Sequence, residues 1–430
     1  MRQERIGIIG AGASGIGIAK ALRREGIEFE ILESTSRVGG NWQPDGPASK
    51  MYRSAHLISS KRNTQFSDYP MPDDYPHYPH HSLMHGYLQS VVASTDVQRS
   101  IRFGTTVTSA RHDGSGWRLR FKEGGDAFYG TLIVCSGLLR RPIIPFYPGR
   151  FDGETIHAVE YRSSSMLEGK RVLVVGGGNS GCDIAVDAVH GAAKVFHSTR
   201  RGYHYMPKFI AGRPTQEWLM DIAPEFSDPD AYWEHVSQTF RLAGFDGRDF
   251  GLPPPDHGIQ SAHPILNSQI LYHIGHGDIS PVGDIVKMSG RQIEFSDGTR
   301  EEVDLIIWAT GYDPDLPFFN KSDFDAVEDL NSAFLTVASR RYDDLLYVGY
   351  LNTPSGLGNV GNVLGSFTAA YLQGRAGATA GWQKFQLLKR ENAPVDLGQE
   401  RFMRTKRHSH EVDLWKFIKT MNFLSAKLRQ

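Results

Sequence analysis

The sequence has few cysteines, no excess of either charge and no long apolar run. Its two cysteines, Cys135 and Cys182, lie far apart and form neither a disulfide framework nor a zinc-binding pattern. A reducing, cytoplasmic compartment is the simplest interpretation. Because the sequence contains no Cys-x-x-Cys pair, chemistry based on a redox-active disulfide is also excluded.

Charge and hydropathy exclude further classes of protein. The 47 basic and 48 acidic side chains leave a formal net charge of −1, which argues against a nucleic-acid partner. No stretch approaches the roughly 20 apolar residues that span a bilayer, and the N-terminus lacks a signal-peptide core. Residues 411–430 predict an amphipathic surface helix, with a membrane-surface role left open. The 17 histidines show no metal-ligand spacing, so no metal site is predicted.

The chain repeats one architectural pattern. Residues 5–9 and 29–32 predict strands on either side of a helix, and residues 171–175 and 194–199 do the same. This pattern predicts an α/β protein with two nested Rossmann-like dinucleotide-binding domains. Residues 1–165 and 300–430 are predicted to form an FAD-binding domain. Residues 166–299 are predicted to form an NADP-binding domain with a helical and loop insertion over about 211–263.

Residues 10–15 (GAGASG) have the G-x-G-x-x-G pattern between a strand and a helix, where backbone N–H groups can hold a pyrophosphate. Glu33, after the next strand, is placed to accept hydrogen bonds from ribose hydroxyls and to repel a 2′-phosphate. The Gly-Gly pair and indole of residues 39–42 favour FAD over NAD. The predicted FAD-binding residues are Gly10, Gly12, Ala13, Ser14, Gly15, Glu33, Gly40, Asn41, Trp42, Gly137 and Asn359.

Residues 176–181 (GGGNSG) repeat the pattern with a different ending. At the offset where the first motif has Glu33, the second has Thr199, followed by Arg200 and Arg201. Arginine pairs with phosphate through its fork of donors, so this site is predicted to take NADPH. The alternative is that both arginines are solvated surface charges. The predicted NADP-binding residues of this motif are Gly176, Gly178, Asn179, Ser180, Gly181, Thr199, Arg200 and Arg201.

Between the two motifs, residues 151–162 (FDGETIHAVEYR) match F-x-G-x-x-x-H-x-x-x-[FY]-[KR]. With both glycine motifs and residues 309–312 (ATGY), this segment resembles the flavin-containing monooxygenases over nearly the whole chain. The resemblance implies that His157 lies at the joint between the domains and supports NADP binding. A hinge histidine that never touches substrate is the favoured interpretation of His157.

The resemblance implies a two-step reaction. NADPH reduces FAD, and the reduced flavin forms a C4a-(hydro)peroxyflavin with O₂ that oxygenates nitrogen or sulfur in a small molecule. The alternatives are a Baeyer–Villiger oxygenation of a ketone, an NADPH oxidase that releases H₂O₂, and a flavin-binding redox sensor. The expected partners are the substrate and O₂. The sequence determines neither the substrate nor the oligomeric state, and a homodimer is left open.

One position departs from the family pattern. Many members carry an asparagine after the Tyr-[KR]-Ser motif, where it helps to hold the flavin–oxygen adduct, and this place falls on Ile58. Isoleucine offers no hydrogen bond. Ser59, Ser60 or Asn63 could substitute and are the predicted catalytic residues, although each is displaced. The departure brings adduct lifetime and N-oxygenation into question.

Two further segments have two interpretations each. Residues 202–207 (GYHYMP) either line the nicotinamide side or pack at a domain interface. Residues 355–362 (SGLGNVGN) predict a glycine-rich turn before a helix at 363–371. This turn either presents N–H groups to the flavin or serves as an interface turn.

Overall fold

The computed structural model describes residues 5–47, 49–353, 356–405 and 408–430. The chain divides into two compact units. The first comprises the residues up to Ser49, 61–140 and 314–430, and the second comprises 50–60 and 141–313.

The unit boundaries differ from the predicted ones. The prediction placed the boundaries after residues 165 and 299, whereas the chain passes from one unit to the other at 140/141 and 313/314. The reason is strand pairing, because Glu154–His157 pairs with Leu305–Trp308 in the sheet of the second unit. Residues 50–60 also belong to the second unit. Which cofactor each unit binds stays a prediction.

The first unit is built on a five-stranded parallel sheet in the order Leu345–Tyr347, Thr131–Val134, Ile6–Ile9, Phe29–Leu32 and Ile101–Arg102. All four residues of Ile6–Ile9 are buried, as expected for a central strand covered on both faces. A smaller antiparallel sheet comprises Val107–His112, Trp117–Phe121 and Asp126–Tyr129. The α-helices are Ala13–Arg24, Lys61–Thr64, His81–Ser94, Ala326–Ser332, Leu357–Gly377, Ala380–Arg390 and Leu414–Leu428.

The second unit repeats this plan. Its parallel sheet has the order Glu154–His157, Leu305–Trp308, Arg171–Val175, Lys194–Ser198 and Ile279–Val282. A second sheet contains Arg300–Glu302, Gln292–Phe295, Ile285–Gly290 and Gly149–Phe151. Short pairs join Tyr205–Met206 to Ile265–Leu266, Phe209–Ile210 to Arg213–Pro214, and Arg141–Pro142 to Tyr312–Asp313. The α-helices are Asn179–Ala188, Thr215–Ile222, Pro229–Leu242 and Ile270–Gly275.

The predicted fold class is confirmed, because each unit has a parallel sheet whose glycine motif follows a central strand. In each sheet that strand lies between its β-α-β partner and a strand from later in the chain, which is where such sheets bind ligands. No helix within the described residues combines the length and apolarity needed to cross a membrane. Helix Leu414–Leu428 buries Phe417 and Met421 and exposes Trp415 and Phe423.

Candidate functional site: two glycine loops

The first glycine loop, residues 10–15, makes a close turn that only glycine allows. Gly10 has φ +104°, and a Cβ there would lie 2.8 Å from the Cys135 carbonyl oxygen. A Cβ on Gly15 would collide with the Gly10 carbonyl. The helix Ala13–Arg24, here called the first-loop helix, begins without a capping side chain because Gly12 precedes it. Its first N–H groups therefore lack side-chain caps and can receive an anion.

The Gly-Gly pair packs directly on this loop. The Gly39 N–H donates to the Ala11 carbonyl at 2.9 Å. Gly40 has φ +55°, and a Cβ there would lie 3.0 Å from the Gly12 Cα. Asn41 and Trp42 complete the helical turn Gly40–Trp42 and are partly buried. The structure therefore brings the predicted residues 40–42 to the first glycine loop.

Glu33 is 6% exposed and holds the loop in place. Its Oε2 accepts a hydrogen bond from the Ala11 N–H at 2.8 Å. Its Oε1 accepts from the Thr35 N–H at 2.8 Å and the Thr35 hydroxyl at 2.9 Å. A carboxylate oxygen has two lone pairs, so Oε2 retains capacity for a ribose hydroxyl beyond its bond to Ala11.

Three other predicted residues of the first unit fall in different settings. Ser14 packs on Gly349, where a Cβ would collide with its hydroxyl. Gly137 has φ +85° and no described heavy atom within 4 Å of a Cβ position, so the space beside it is open. Asn359 lies in the first turn of a helix.

The prediction of a glycine-rich turn at 355–362 is wrong for the described residues 357–362, because the helix begins at Leu357. Ser355 lies outside the described residues. Gly358 packs on the Gln65 carbonyl and Gly365 packs on Ala21, which a Cβ would prevent. Close helix packing thus outweighs the low helix propensity of glycine.

The second glycine loop, residues 176–181, reproduces the geometry of the first. Gly176 has φ +127°, and a Cβ there would collide with the Ala309 carbonyl. A Cβ on Gly181 would collide with the Gly176 carbonyl. Gly178 precedes the helix Asn179–Ala188, here called the second-loop helix, and supplies no capping side chain. Ser180 is exposed in its first turn.

The Asn179 side chain has a structural use that its place in the motif did not predict. Its Oδ1 accepts from the Leu266 N–H at 2.9 Å, and its Nδ2 donates to the Pro264 carbonyl at 3.2 Å. Both ends of the amide are therefore engaged by residues 264–266. Asn179 positions this segment beside the loop and leaves its backbone N–H for a ligand.

The strand Lys194–Ser198 ends one residue before the predicted end at Thr199, and Thr199, Arg200 and Arg201 follow it. The Thr199 N–H donates to the Val282 carbonyl at 3.3 Å. Thr199 is 2% exposed, and its hydroxyl has no hydrogen-bond partner among the described residues. Arg200 is exposed and Arg201 partly buried. Two arginines therefore follow the strand of the second unit, where Glu33 follows the corresponding strand of the first.

Two side-chain contacts with the second loop were not predicted from the sequence. The ring of Tyr203 covers Gly177 so closely that a Cβ would collide with it. His197 is fully buried on the strand below, and its Nε2 lies 3.1 Å from the Gly176 carbonyl. Burial lowers the pKa of His197 to about 4, so the ring is neutral and donates this bond. Tyr203 belongs to residues 202–207, which were expected either to line the nicotinamide side or to pack at a domain interface, but its contact with Gly177 was not predicted. His197 belongs to no motif that could have revealed it.

His157 ends the strand Glu154–His157 and is 2% exposed. The Val159 N–H donates to its Nδ1 at 3.2 Å, and its ring meets Tyr312 edge-on with centroids 4.9 Å apart. Burial lowers the pKa of His157. Tyr312 pairs with Pro142. Both residues lie within two positions of the points in the sequence where the chain changes from one unit to the other. These contacts favour a structural role for His157.

The predicted catalytic residues are divided between the units. Ser59 and Ser60 lie in the second unit and Asn63 in the first, where it is buried in the helix Lys61–Thr64. The Ser60 N–H donates to Gln216 Oε1 at 3.1 Å, and Gln216 Nε2 donates to the Ser59 hydroxyl at 3.4 Å. Ser60 is fully buried, and its hydroxyl has no hydrogen-bond partner among the described residues. Ile58 is partly buried.

Comparisons with known proteins agree with this geometry. Residues 3–351 match the family model described as flavin-binding monooxygenase-like. The chain is 34% identical over 346 residues to human flavin-containing monooxygenase 2, covering 74% of this chain and 63% of that protein. It is 32% identical over 348 residues to rabbit (Oryctolagus cuniculus) flavin-containing monooxygenase 5, covering 75% of this chain and 64% of that protein. The match thus spans less than two thirds of these relatives.

A solved structure, oxidized steroid monooxygenase bound to NADP, superposes with a TM-score of 0.71 at 18% identity. The superposition covers 98% of this chain and 96% of that one, and it shows a shared fold. The two glycine loops define a two-nucleotide α/β protein. The chain belongs to the flavin-binding monooxygenase-like family, and the resemblance found in the sequence is confirmed.

Proposed function

We propose that the protein is an NADPH-dependent FAD monooxygenase that oxygenates nitrogen or sulfur in a small molecule. The observation that carries this proposal is the contrast between the two loops. Glu33 stands at the edge of one, and Arg200 and Arg201 stand at the edge of the other. A carboxylate suits ribose hydroxyls and repels a 2′-phosphate, whereas guanidinium groups attract it. The first loop would therefore hold FAD and the second NADPH, which would supply the electrons.

The residues present fit both cofactors. The first loop leaves backbone N–H groups uncapped beside Gly12, which has no side chain to fill the space, and Glu33 would hold the adenosine ribose. At the second loop, the buried Thr199 hydroxyl has no described partner, and Arg200 would pair with the 2′-phosphate. Bound FAD would supply the redox and O₂ chemistry, while the protein binds, orients and excludes water.

Ser60 supports a role near the reacting atoms. Its buried hydroxyl has no described hydrogen-bond partner, which is costly unless a ligand provides one. The Gln216 amide fixes the backbone of Ser60 and contacts the Ser59 hydroxyl. Ser59, Ser60 and Asn63 therefore remain the proposed catalytic residues, with Ser60 preferred because its buried hydroxyl has no hydrogen-bond partner among the described residues.

Relatives favour oxygenation over simple oxidation. A relative from Pan troglodytes, 34% identical, is named dimethylaniline monooxygenase [N-oxide-forming] 2. We therefore expect an amine or a sulfide as substrate. The reducing, cytoplasmic setting is part of the same proposal, and both cysteines are buried.

Two measurements test the proposal. Anaerobic mixing with NADPH should bleach the flavin absorption, and an unchanged flavin band would contradict every oxidoreductase interpretation. Turnover under ¹⁸O₂ with a panel of tertiary amines and sulfides should place one labelled oxygen in the product. Ketones in the same panel test the Baeyer–Villiger alternative, because a labelled ester would favour it.

A second candidate function is an NADPH oxidase that releases H₂O₂. Ile58 favours it, since this side chain cannot donate a hydrogen bond where many family members carry asparagine. Stoichiometric H₂O₂ per NADPH, with no label in any organic product, would favour the oxidase. Ile58→Asn should then lower the released H₂O₂.

A further inference from the structure

The second-loop helix carries two carboxylates one turn apart, and each accepts a hydrogen bond from a tyrosine. The Tyr52 hydroxyl donates to Asp183 Oδ2 at 3.0 Å, and the Tyr161 hydroxyl donates to Asp187 Oδ2 at 2.5 Å. The two rings pack with centroids 5.7 Å apart. Both tyrosines are buried, and burial, with the adjacent aspartates, raises the pKa of each hydroxyl. Both hydroxyls therefore remain donors at physiological pH.

Tyr52 belongs to residues 50–60, here called the 50–60 segment, which is attached at both ends. Near its start, the Arg53 N–H donates to the Arg162 carbonyl at 2.7 Å. This contact places the segment on the end of the 151–162 motif. At its far end, Gln216 binds Ser59 and Ser60. The segment that carries the proposed catalytic serines is thus seated on the second unit.

Asp183 has a second partner that fixes its orientation. Asn267 Nδ2 donates to Asp183 Oδ1 at 2.6 Å. Asn267 Oδ1 in turn accepts from the N–H groups of Gln269 and Ile270, both at 2.8 Å, at the start of the helix Ile270–Gly275. Because the Asn267 amide cannot turn over without losing these bonds, one Asp183 oxygen is committed to it. The other oxygen points to Tyr52.

We propose that Asp183 is a positioning residue: through Tyr52 it fixes the 50–60 segment, and with it Ser60, to the helix that starts at the second glycine loop. The inference rests on the proposed function, since Ser60 is assigned there to the reaction. Asp183 itself is assigned no contact with the reacting atoms. Its role is to hold the 50–60 segment in a fixed position on the second-loop helix.

Hydrogen exchange of the full-length protein tests the positioning without any cofactor. Tyr52→Phe should speed exchange of the 50–60 amides roughly threefold to tenfold, as expected for one lost hydrogen bond. Tyr161→Phe is the matched control, since it removes the same type of bond from the same helix and should leave these amides unchanged. No acceleration in Tyr52→Phe, or equal acceleration in both variants, would overturn the proposal.

Asp183→Asn is a conservative variant: its amide oxygen still accepts from Asn267, and its amide N–H can donate to the Tyr52 hydroxyl oxygen, which reverses the direction of that bond. In Asp183→Asn the 50–60 amides should exchange at nearly the wild-type rate. In Asp183→Ala they should exchange as fast as in Tyr52→Phe. An Asp183→Ala protein whose 50–60 amides stay protected would overturn the assignment of Asp183, even if Tyr52→Phe behaves as expected.

Coupling is the functional measurement. In Tyr52→Phe, the fraction of NADPH consumption that appears as H₂O₂ should rise, while the KM for NADPH stays near its wild-type value. An unchanged fraction would overturn the link to the reaction. If the wild-type protein yields no ¹⁸O-labelled product, the proposed function fails by itself. The exchange contrast between Tyr52→Phe and Tyr161→Phe then still decides whether Asp183 positions the segment.

Discussion

Glu33 lies beside the glycine loop of the first unit. At the corresponding place in the second unit lie Thr199 and Arg200. The backbones around them agree closely: Gly10 and Gly176 both have positive φ, and a carbonyl of the neighbouring strand excludes a Cβ at each. The surroundings differ in charge and in polarity. The two turns therefore share one backbone geometry, while the residues that follow the next strand differ in charge, which is the basis of the two proposed nucleotide preferences.

A second difference lies below the loops. Ile31 precedes Glu33 by two positions, as His197 precedes Thr199, and both side chains are fully buried. His197 supports the Gly176 carbonyl with a hydrogen bond, whereas Ile31 supplies only apolar packing. We therefore expect the two loops to differ in their response to pH as well as in their proposed ligands.

The largest expected effect comes from one matched pair of substitutions, one in each glycine loop. Gly12 and Gly178 both have extended backbone angles that valine adopts easily. The new side chain would occupy the space of the pyrophosphate, and overpacking of this kind lowers affinity by roughly a hundredfold. Gly12→Val should lose FAD, measured as flavin absorbance per protein. Gly178→Val should keep FAD and lose rapid anaerobic reduction by NADPH, and the reverse pattern would exchange the two assignments.

The next effect is acid sensitivity of the strand Lys194–Ser198, which carries His197. The pKa of His197 is lowered to about 4, so the unfolded chain takes up a proton first as pH falls. The stabilisation is complete above about pH 6.5 and disappears progressively down to about pH 4. Between pH 7 and 5 the loss should be about 2 kcal/mol.

Hydrogen exchange, corrected for the intrinsic pH dependence, can follow peptides 194–199 and 29–32 side by side. His197→Leu should flatten the pH dependence of the first peptide and leave the second unchanged. His157 and His204, whose pKa values burial also lowers, add their own slopes. The decisive quantity is therefore the difference between wild type and variant, and an unchanged slope would contradict the role given to His197.

A smaller effect tests cofactor preference. Arg200→Ala/Arg201→Ala should raise the KM for NADPH about tenfold, because at least one charge-assisted phosphate contact is lost. The KM for NADH should barely change. Arg300→Ala, an exposed arginine on a hairpin of the same unit, is the matched control. Equal effects on both cofactors would mean that the two arginines are solvated surface charges.

The smallest expected effect concerns Tyr203, whose ring covers the second glycine loop at Gly177. Gly177→Ala should raise the KM for NADPH several-fold, because the new methyl group displaces the tyrosine ring. Tyr203→Ala should relieve the collision, so the double variant should bind NADPH better than Gly177→Ala alone. Additive losses in this double-mutant cycle would show that the ring and the loop act independently.

Much of the fold could be predicted because its signals are local. Each glycine motif follows a short apolar run and precedes a helix, and these patterns occupy about thirty consecutive residues. The compact units differ from the predicted domain boundaries because Glu154–His157 and Leu305–Trp308 pair across a long stretch of chain. The helix start at Leu357 was missed because its glycines are selected by contacts with Gln65 and Ala21 rather than by local propensity.

The sequence by itself determined the two loops, the acid at one edge and the arginines at the other, because turn geometry and residue offset act over short distances. Only the tertiary structure decided that Asn179 is engaged by residues 264–266, that Tyr203 covers Gly177, and that Tyr52 donates to Asp183. These partners are far apart in the sequence. Packing of the strands and helices brings them together, and no local pattern encodes which distant side chain fills the last hydrogen bond.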